Sequence, residues 1–106
     1  MLNGEQLTDY LGGEDVAGGK LKEAGTTHWA DPNAGANNES GFTALPGGGR
    51  NDYGSFYGIR SNGLWWSSTE HDTNRAGTRY LNYDYSDVGR YDDGKSMGFS
   101  VRCLRD

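Results

Sequence analysis

The sequence predicts an α+β domain: one or two short helices near the N-terminal end, long Gly/Asn-rich loops, and a small antiparallel sheet in the C-terminal half. Three observations carry that expectation. Gly63-Leu64-Trp65-Trp66-Ser67-Ser68-Thr69-Glu70 sets paired tryptophans beside a Ser-Ser-Thr run, a strand with a large apolar payload. Arg79 to Tyr85 alternates, with Leu81 and Tyr83 on one face and Tyr80, Asn82 and Asp84 on the other. Near the end, Met97, Phe99, Val101 and Cys103 alternate with Ser96, Gly98, Ser100 and Arg102, which places the first four on a core face.

Composition sets the bounds. A chain of 106 residues is one domain, 1–106, with one modest core. Only 33% of it is hydrophobic, and 18 residues are Gly. Burial therefore rests on the 3 Trp, 7 Tyr and 3 Phe, with Gly serving turns and bulges. The expected core is Trp29, Phe42, Trp65, Trp66, Leu81, Phe99, Val101 and Cys103. A net charge of −5 argues against nucleic acid and anionic membranes as main partners. No apolar run has the length of a membrane span, and the start lacks a signal peptide's apolar core. Cys103 is the single cysteine, so no disulfide forms within the chain.

The elements follow in order. Leu7, Tyr10 and Leu11 stand at helical spacing within 4–11, and Gly12-Gly13 ends that helix. Asp15 is placed to cap a second helix through Leu21, which Gly18-Gly19 weakens by roughly 2 kcal/mol against alanine. Residues 25–41 read as a long polar loop, with Trp29 pinning it to the body. Phe42, Ala44 and Leu45 form a short strand that Pro46 and the following glycines break. Residues 55–59 and 64–69 are the next strands. Ser86-Asp87 turns the chain, Val88 to Tyr91 returns, and Asp93-Gly94 is a tight hairpin turn before the last strand.

Several blocks, in order, resemble the Fibrobacter succinogenes major paralogous domain. They are Tyr10-Leu11-Gly12-Gly13, Val16 to Glu23, Gly25-Thr26-Thr27-His28-Trp29, Asn38 to Gly48, Trp65 to Glu70, and Gly98 to Cys103. The resemblance spans nearly the whole chain. It implies a fold similar to C-type lectin-like domains and to the formylglycine-generating enzyme group, and an extracellular or cell-surface setting in bacteria, often on lipoproteins. It also implies an N-terminal portion with a Cys-Pro-x-Gly-Trp segment, which this sequence lacks. A shortened or fragmentary domain is therefore expected, with the partner of Cys103 in the missing part.

The sequence gives little support to catalysis. One cysteine cannot supply the reactive pair that the resemblance to formylglycine-generating enzymes would need. His28 and His71 lie in no ligand spacing, and Ser67 and Ser68 lack a nucleophile-elbow context. Glu70, Asp72, Asp84, Asp87, Asp92 and Asp93 read as a solvated acidic face. No cofactor is required. Calcium stays open: Asp31, Asn33, Asn37, Asn38 and Glu39 crowd oxygen donors into one loop, though such residues equally serve turns. The sugar-binding motifs of calcium-dependent lectins are missing, and Asp31-Pro32-Asn33 only echoes one of them.

A binding surface is the favoured expectation. Thr78, Tyr80, Asn82, Asp84, Gly89, Tyr91 and Asp93 form a Tyr/Asn/Asp/Gly skin of the kind adaptable paratopes use. The resemblance adds that such domains serve as variable proteins of diversity-generating retroelements, in which asparagine codons are rewritten. Residues 77–94 hold none of the Lys, Glu, Gln, Trp or Met that this process cannot produce. The expected function is a non-catalytic surface module recognising a protein or glycan. The alternative is a structural or adhesive repeat unit of an envelope protein with no discrete ligand.

Overall fold

Two short helices open the chain, and antiparallel strands follow. The computed structural model describes residues 4–102. Helix α1 spans Gly4–Tyr10 and α2 spans Glu14–Leu21. Strands β1 (Gly49–Arg50) and β2 (Phe56–Tyr57) form a two-stranded ribbon. Strands β3 (Asn62–Glu70), β4 (Arg75–Asn82) and β5 (Gly89–Gly94) form a three-stranded antiparallel sheet in the order β3-β4-β5. The architecture is α+β, as expected.

Gly12 and Gly13 end α1 at φ of +104° and +99°, a region closed to most side chains. The amide of Gly13 donates to the Thr8 carbonyl at 2.9 Å. Gly13 is also the N-cap of α2, and no side chain caps that helix. Asp15, expected as the cap, lies inside the first turn, where its charge still favours the helix dipole.

Gly18 and Gly19 look like a defect in α2, and packing explains them. A Cβ on Gly18 would sit 2.0 Å from the Asp87 carbonyl oxygen, and one on Gly19 2.3 Å from that of Gly35. No side chain fits. The bare helix face instead takes the backbone of the β4–β5 connection: Gly19 donates to the Ser86 carbonyl at 2.9 Å, and Val88 donates to that of Glu14 at 2.8 Å.

Beside this contact lies the most unusual core residue, Lys22, which is fully buried. Its ammonium has three hydrogens and meets three backbone carbonyls, those of Ala34 at 2.9 Å, Asn82 at 2.8 Å and Tyr85 at 2.9 Å. Its Nζ also stands 5.4 Å from the centre of the Trp29 ring. Burial lowers its pKa to about 8, against the opposing pull of Asp84 and Asp87. Trp29 is itself fully buried, and its indole N–H donates to the Ala44 carbonyl at 2.9 Å. Leu11, Ala17, Leu21, Ala44, Leu81 and Val88 complete the core around Trp29, with Leu7, Phe42, Trp65 and Tyr83 packed against it.

Three expected elements differ. Phe42, Ala44 and Leu45 make no strand; Ala44 forms one parallel bridge with Lys22. Asp93-Gly94 is not a hairpin turn, because Asp93 pairs with Ala76 and Gly94 with Arg75 inside β5. Among the described residues after Gly94, 95–102, there are only isolated bridges, Gly98 with Arg50 and Ser100 with Trp65. Without a continuous ladder, period-2 burial lapses: Phe99 is half-buried, while Val101 is 67% exposed and leaves the expected core. Cys103 lies outside the described residues.

Candidate functional site

Register decides which side chains meet. In an antiparallel pair, directly opposed residues share a face. Trp66, Thr78 and Tyr91 are opposed across the sheet, as are Leu64, Tyr80 and Gly89, so one face carries all of these together with Asp93. The rings on it form a row. Tyr91 and Tyr80 have centroids 4.8 Å apart, Tyr80 and Phe99 6.3 Å, and Phe99 and Trp66 4.7 Å. All three pairs are tilted or edge-on, the arrangement that aromatic quadrupoles favour. Gly89 makes room for this, since a Cβ there would stand 2.9 Å from the Tyr91 ring.

One carboxylate anchors the row. Asp93 Oδ2 accepts hydrogen bonds from Thr78 Oγ1 at 2.7 Å and from the Tyr80 hydroxyl at 3.0 Å. Such bonds to a charged acceptor are stronger than neutral ones. Burial, and then the Asp93 charge, raise the Tyr80 pKa, so its hydroxyl stays protonated and donating. Burial and Asp93 raise Tyr57 in the same sense.

Of the expected binding residues, Thr78, Tyr80, Gly89, Tyr91 and Asp93 come together. Thr78 is fully buried, so it holds Asp93 in place and cannot be a contact residue. Tyr91, at 58% exposed, is the outermost ring. Asn82 lies further along the same face, its side chain accepting from Asn62 and its carbonyl from Lys22. Asp84 is exposed beyond the end of β4. Trp66 and Phe99, expected in the core, belong to the aromatic row instead. The shared parity of Leu64 and Trp66 was the signal for this, but it needs the register to β4 before it places them beside Tyr80.

Most side chains of the oxygen-rich loop bond within the protein, while Asn33 Oδ1 is buried without a hydrogen-bond partner among the described residues. Asn33 is buried and its Nδ2 donates to the carbonyls of Glu23 and Gly25. Asn37 accepts from the Glu39 amide, and Asn38 pairs twice with Thr43. The Glu39 carboxylate faces Lys20 at 3.8 Å, and Asp31 is exposed. Among the described residues, no group of three or more His, Cys, Asp or Glu side chains is placed to hold a metal ion. His28 and His71 each pair with one surface carboxylate, Glu23 and Asp92. No helix among the described residues is long and apolar enough to cross a membrane.

The chain matches the family described as the Fibrobacter succinogenes major domain over residues 3–105. No curated protein and no solved structure matches it.

Proposed function

The chain belongs to the Fibrobacter succinogenes major domain family, and from that membership we propose that it is a non-catalytic binding module of C-type lectin-like fold, exposed at the cell surface, which recognises a protein or glycan. The observation that carries this reading is the row Tyr91–Tyr80–Phe99–Trp66 lying on a rigid sheet around one carboxylate. Tyrosine offers rigid amphipathic area at little entropic cost, and Asp93 gives the row a fixed hydrogen-bonding pole. Ligand rings or apolar faces stack on Tyr91, while polar groups meet the edge formed by Asp93 and the phenols.

The test is a glycan and protein array probed with the wild-type chain, Tyr91→Ala and Tyr53→Ala. Tyr53 is 89% exposed and stands outside the row, so it serves as the control. Tyr91→Ala should leave the melting temperature near wild type and weaken binding by about 30-fold, the size expected of an interface hot spot. Unchanged binding by Tyr91→Ala, or loss with Tyr53→Ala alone, rejects this face.

A further inference from the structure

We infer that the aromatic row and Asp93 together take a guanidinium, the side chain of an arginine exposed on a partner protein. This rests on the reading of that face as a binding surface and narrows its ligand to one chemistry. The first observation is that Asp93 has one oxygen in use and one to spare. Its Oδ2 accepts from Thr78 and Tyr80, while no hydrogen bond from the described residues reaches Oδ1. No Lys, Arg or His among the described residues forms an ion pair with it. Asp93 is also half-buried. A carboxylate partly withdrawn from water and salt attracts a cation more strongly than one on the open surface.

The second observation is that the rings beside Asp93 carry no cation. Elsewhere the chain does cover its rings: Arg50 stands 5.9 Å from the centre of Phe56, and Arg102 3.7 Å from that of Phe42. No described cation stands over Trp66, Phe99, Tyr80 or Tyr91. Tyr57 adds a further ring. A Cβ on Gly49 would meet both the Tyr57 hydroxyl and the Phe99 ring at 2.9 Å, so the two side chains converge over that glycine. The charge of Asp93 reaches the Tyr57 phenol as well. Aromatic faces are electron-rich and attract a cation, and here they adjoin a carboxylate of the same sign. The complement of such a surface is a positive group.

The single free oxygen selects guanidinium over ammonium. An ammonium is a strongly hydrated point charge, and one acceptor replaces little of its water. A guanidinium is weakly hydrated and flat, so it stacks on the exposed Tyr91 ring while one N–H reaches Oδ1. Common sugars carry no guanidinium, so the partner is a protein. The net charge of −5 favours the approach of a basic one.

The experiment is titration of the full chain with a blocked Gly-Arg-Gly tripeptide and its lysine and citrulline counterparts, followed by NMR shifts of the Tyr80, Tyr91 and Asp93 amides. Citrulline is the neutral isostere of arginine. The arginine peptide should bind in the millimolar range, the lysine peptide about threefold more weakly and the citrulline peptide at least about tenfold more weakly. Asp93→Asn should bring the arginine and citrulline affinities within about twofold of each other. That ratio compares two ligands on one folded protein, so a loss of stability cannot produce it. The inference fails if the arginine peptide shifts nothing up to about 50 mM, a level where even weak sites fill. It fails equally if the lysine or citrulline peptide binds as well, or if Asp93→Asn keeps the preference. The array separates this from the wider reading: a neutral glycan whose binding is lost with Tyr91→Ala overturns the arginine and leaves the aromatic face standing, whereas binding untouched by Tyr91→Ala rejects both.

Discussion

Replacing Lys22 with Met tests the core most directly. The substitution keeps a flexible stem of similar length and removes the ammonium. Three carbonyls, those of Ala34, Asn82 and Tyr85, then lose a donor they have at 2.8–2.9 Å. A hydrogen bond to a charged group is worth about 1.5–3 kcal/mol, but the three share one ammonium whose desolvation cost disappears with it, so they do not add. Each carbonyl left without its donor costs about 1–3 kcal/mol, and the ammonium's own desolvation cost offsets part of the sum, so a net loss of about 4 kcal/mol is expected. For 106 residues the unfolding entropy is about 0.2 kcal/mol per kelvin, so a loss of about 4 kcal/mol lowers Tm by roughly 20 °C. Urea unfolding followed by tryptophan fluorescence reads the change through Trp29, which the ammonium overlies. A loss below about 1 kcal/mol at unchanged m-value would show that the three carbonyls are satisfied without Lys22 and would refute its structural role.

Four further outcomes are expected. Gly18→Ala should destabilise by about 2 kcal/mol or more, although helix propensity alone favours it by about 1 kcal/mol, because its Cβ meets the Asp87 carbonyl at 2.0 Å; a stabilised variant in thermal melts refutes the docking of the β4–β5 connection. Below pH 8 Lys22 is protonated in both states; between about 8 and 10.5 the folded chain sheds that proton while the unfolded chain keeps it, so stability should rise with pH there by up to about 3 kcal/mol. Lys22→Met should lack this rise in urea titrations from pH 7 to 9.5. Above pH 10 the raised phenols of Tyr80 and Tyr57 act in the opposite sense, since the unfolded chain loses their protons first, and stability should fall again. Asp93→Asn should bring the Tyr80 phenol titration down, visible in ultraviolet difference spectra, and cost about 1–2 kcal/mol by weakening two charge-assisted bonds; an unmoved phenol refutes the role given to Asp93.

Local pattern was a good guide where a segment's partner did not matter. The glycine pair after α1, the apolar strand around Trp65 and Trp66, and the alternation that puts Tyr80 and Leu81 on opposite faces were all legible. So was the membership of Tyr80, Tyr91 and Asp93 in one surface, because parity along a strand survives errors of one or two residues in its ends. The expectations that failed depended on what lies alongside. Asp93-Gly94 has the composition of a turn, yet it stays in β5 because Arg75 and Ala76 are there to pair with it. Met97 to Val101 has the alternation of a strand, yet it finds only two isolated bridges.

By itself, then, the sequence determined the class of fold, the approximate positions of the three strands of the main sheet and the faces on which Tyr80 and Tyr91 stand, since these follow from backbone periodicity. Only the tertiary structure decided that Lys22 is a core residue, that Gly18 and Gly19 are a docking surface, that Thr78 is a support, and that Arg79 stands against Arg90 over Gly77. The physical reason is common to all four: a side-chain period assigns a residue to a face, but burial, close approach and charge pairing depend on register with a segment distant in the chain.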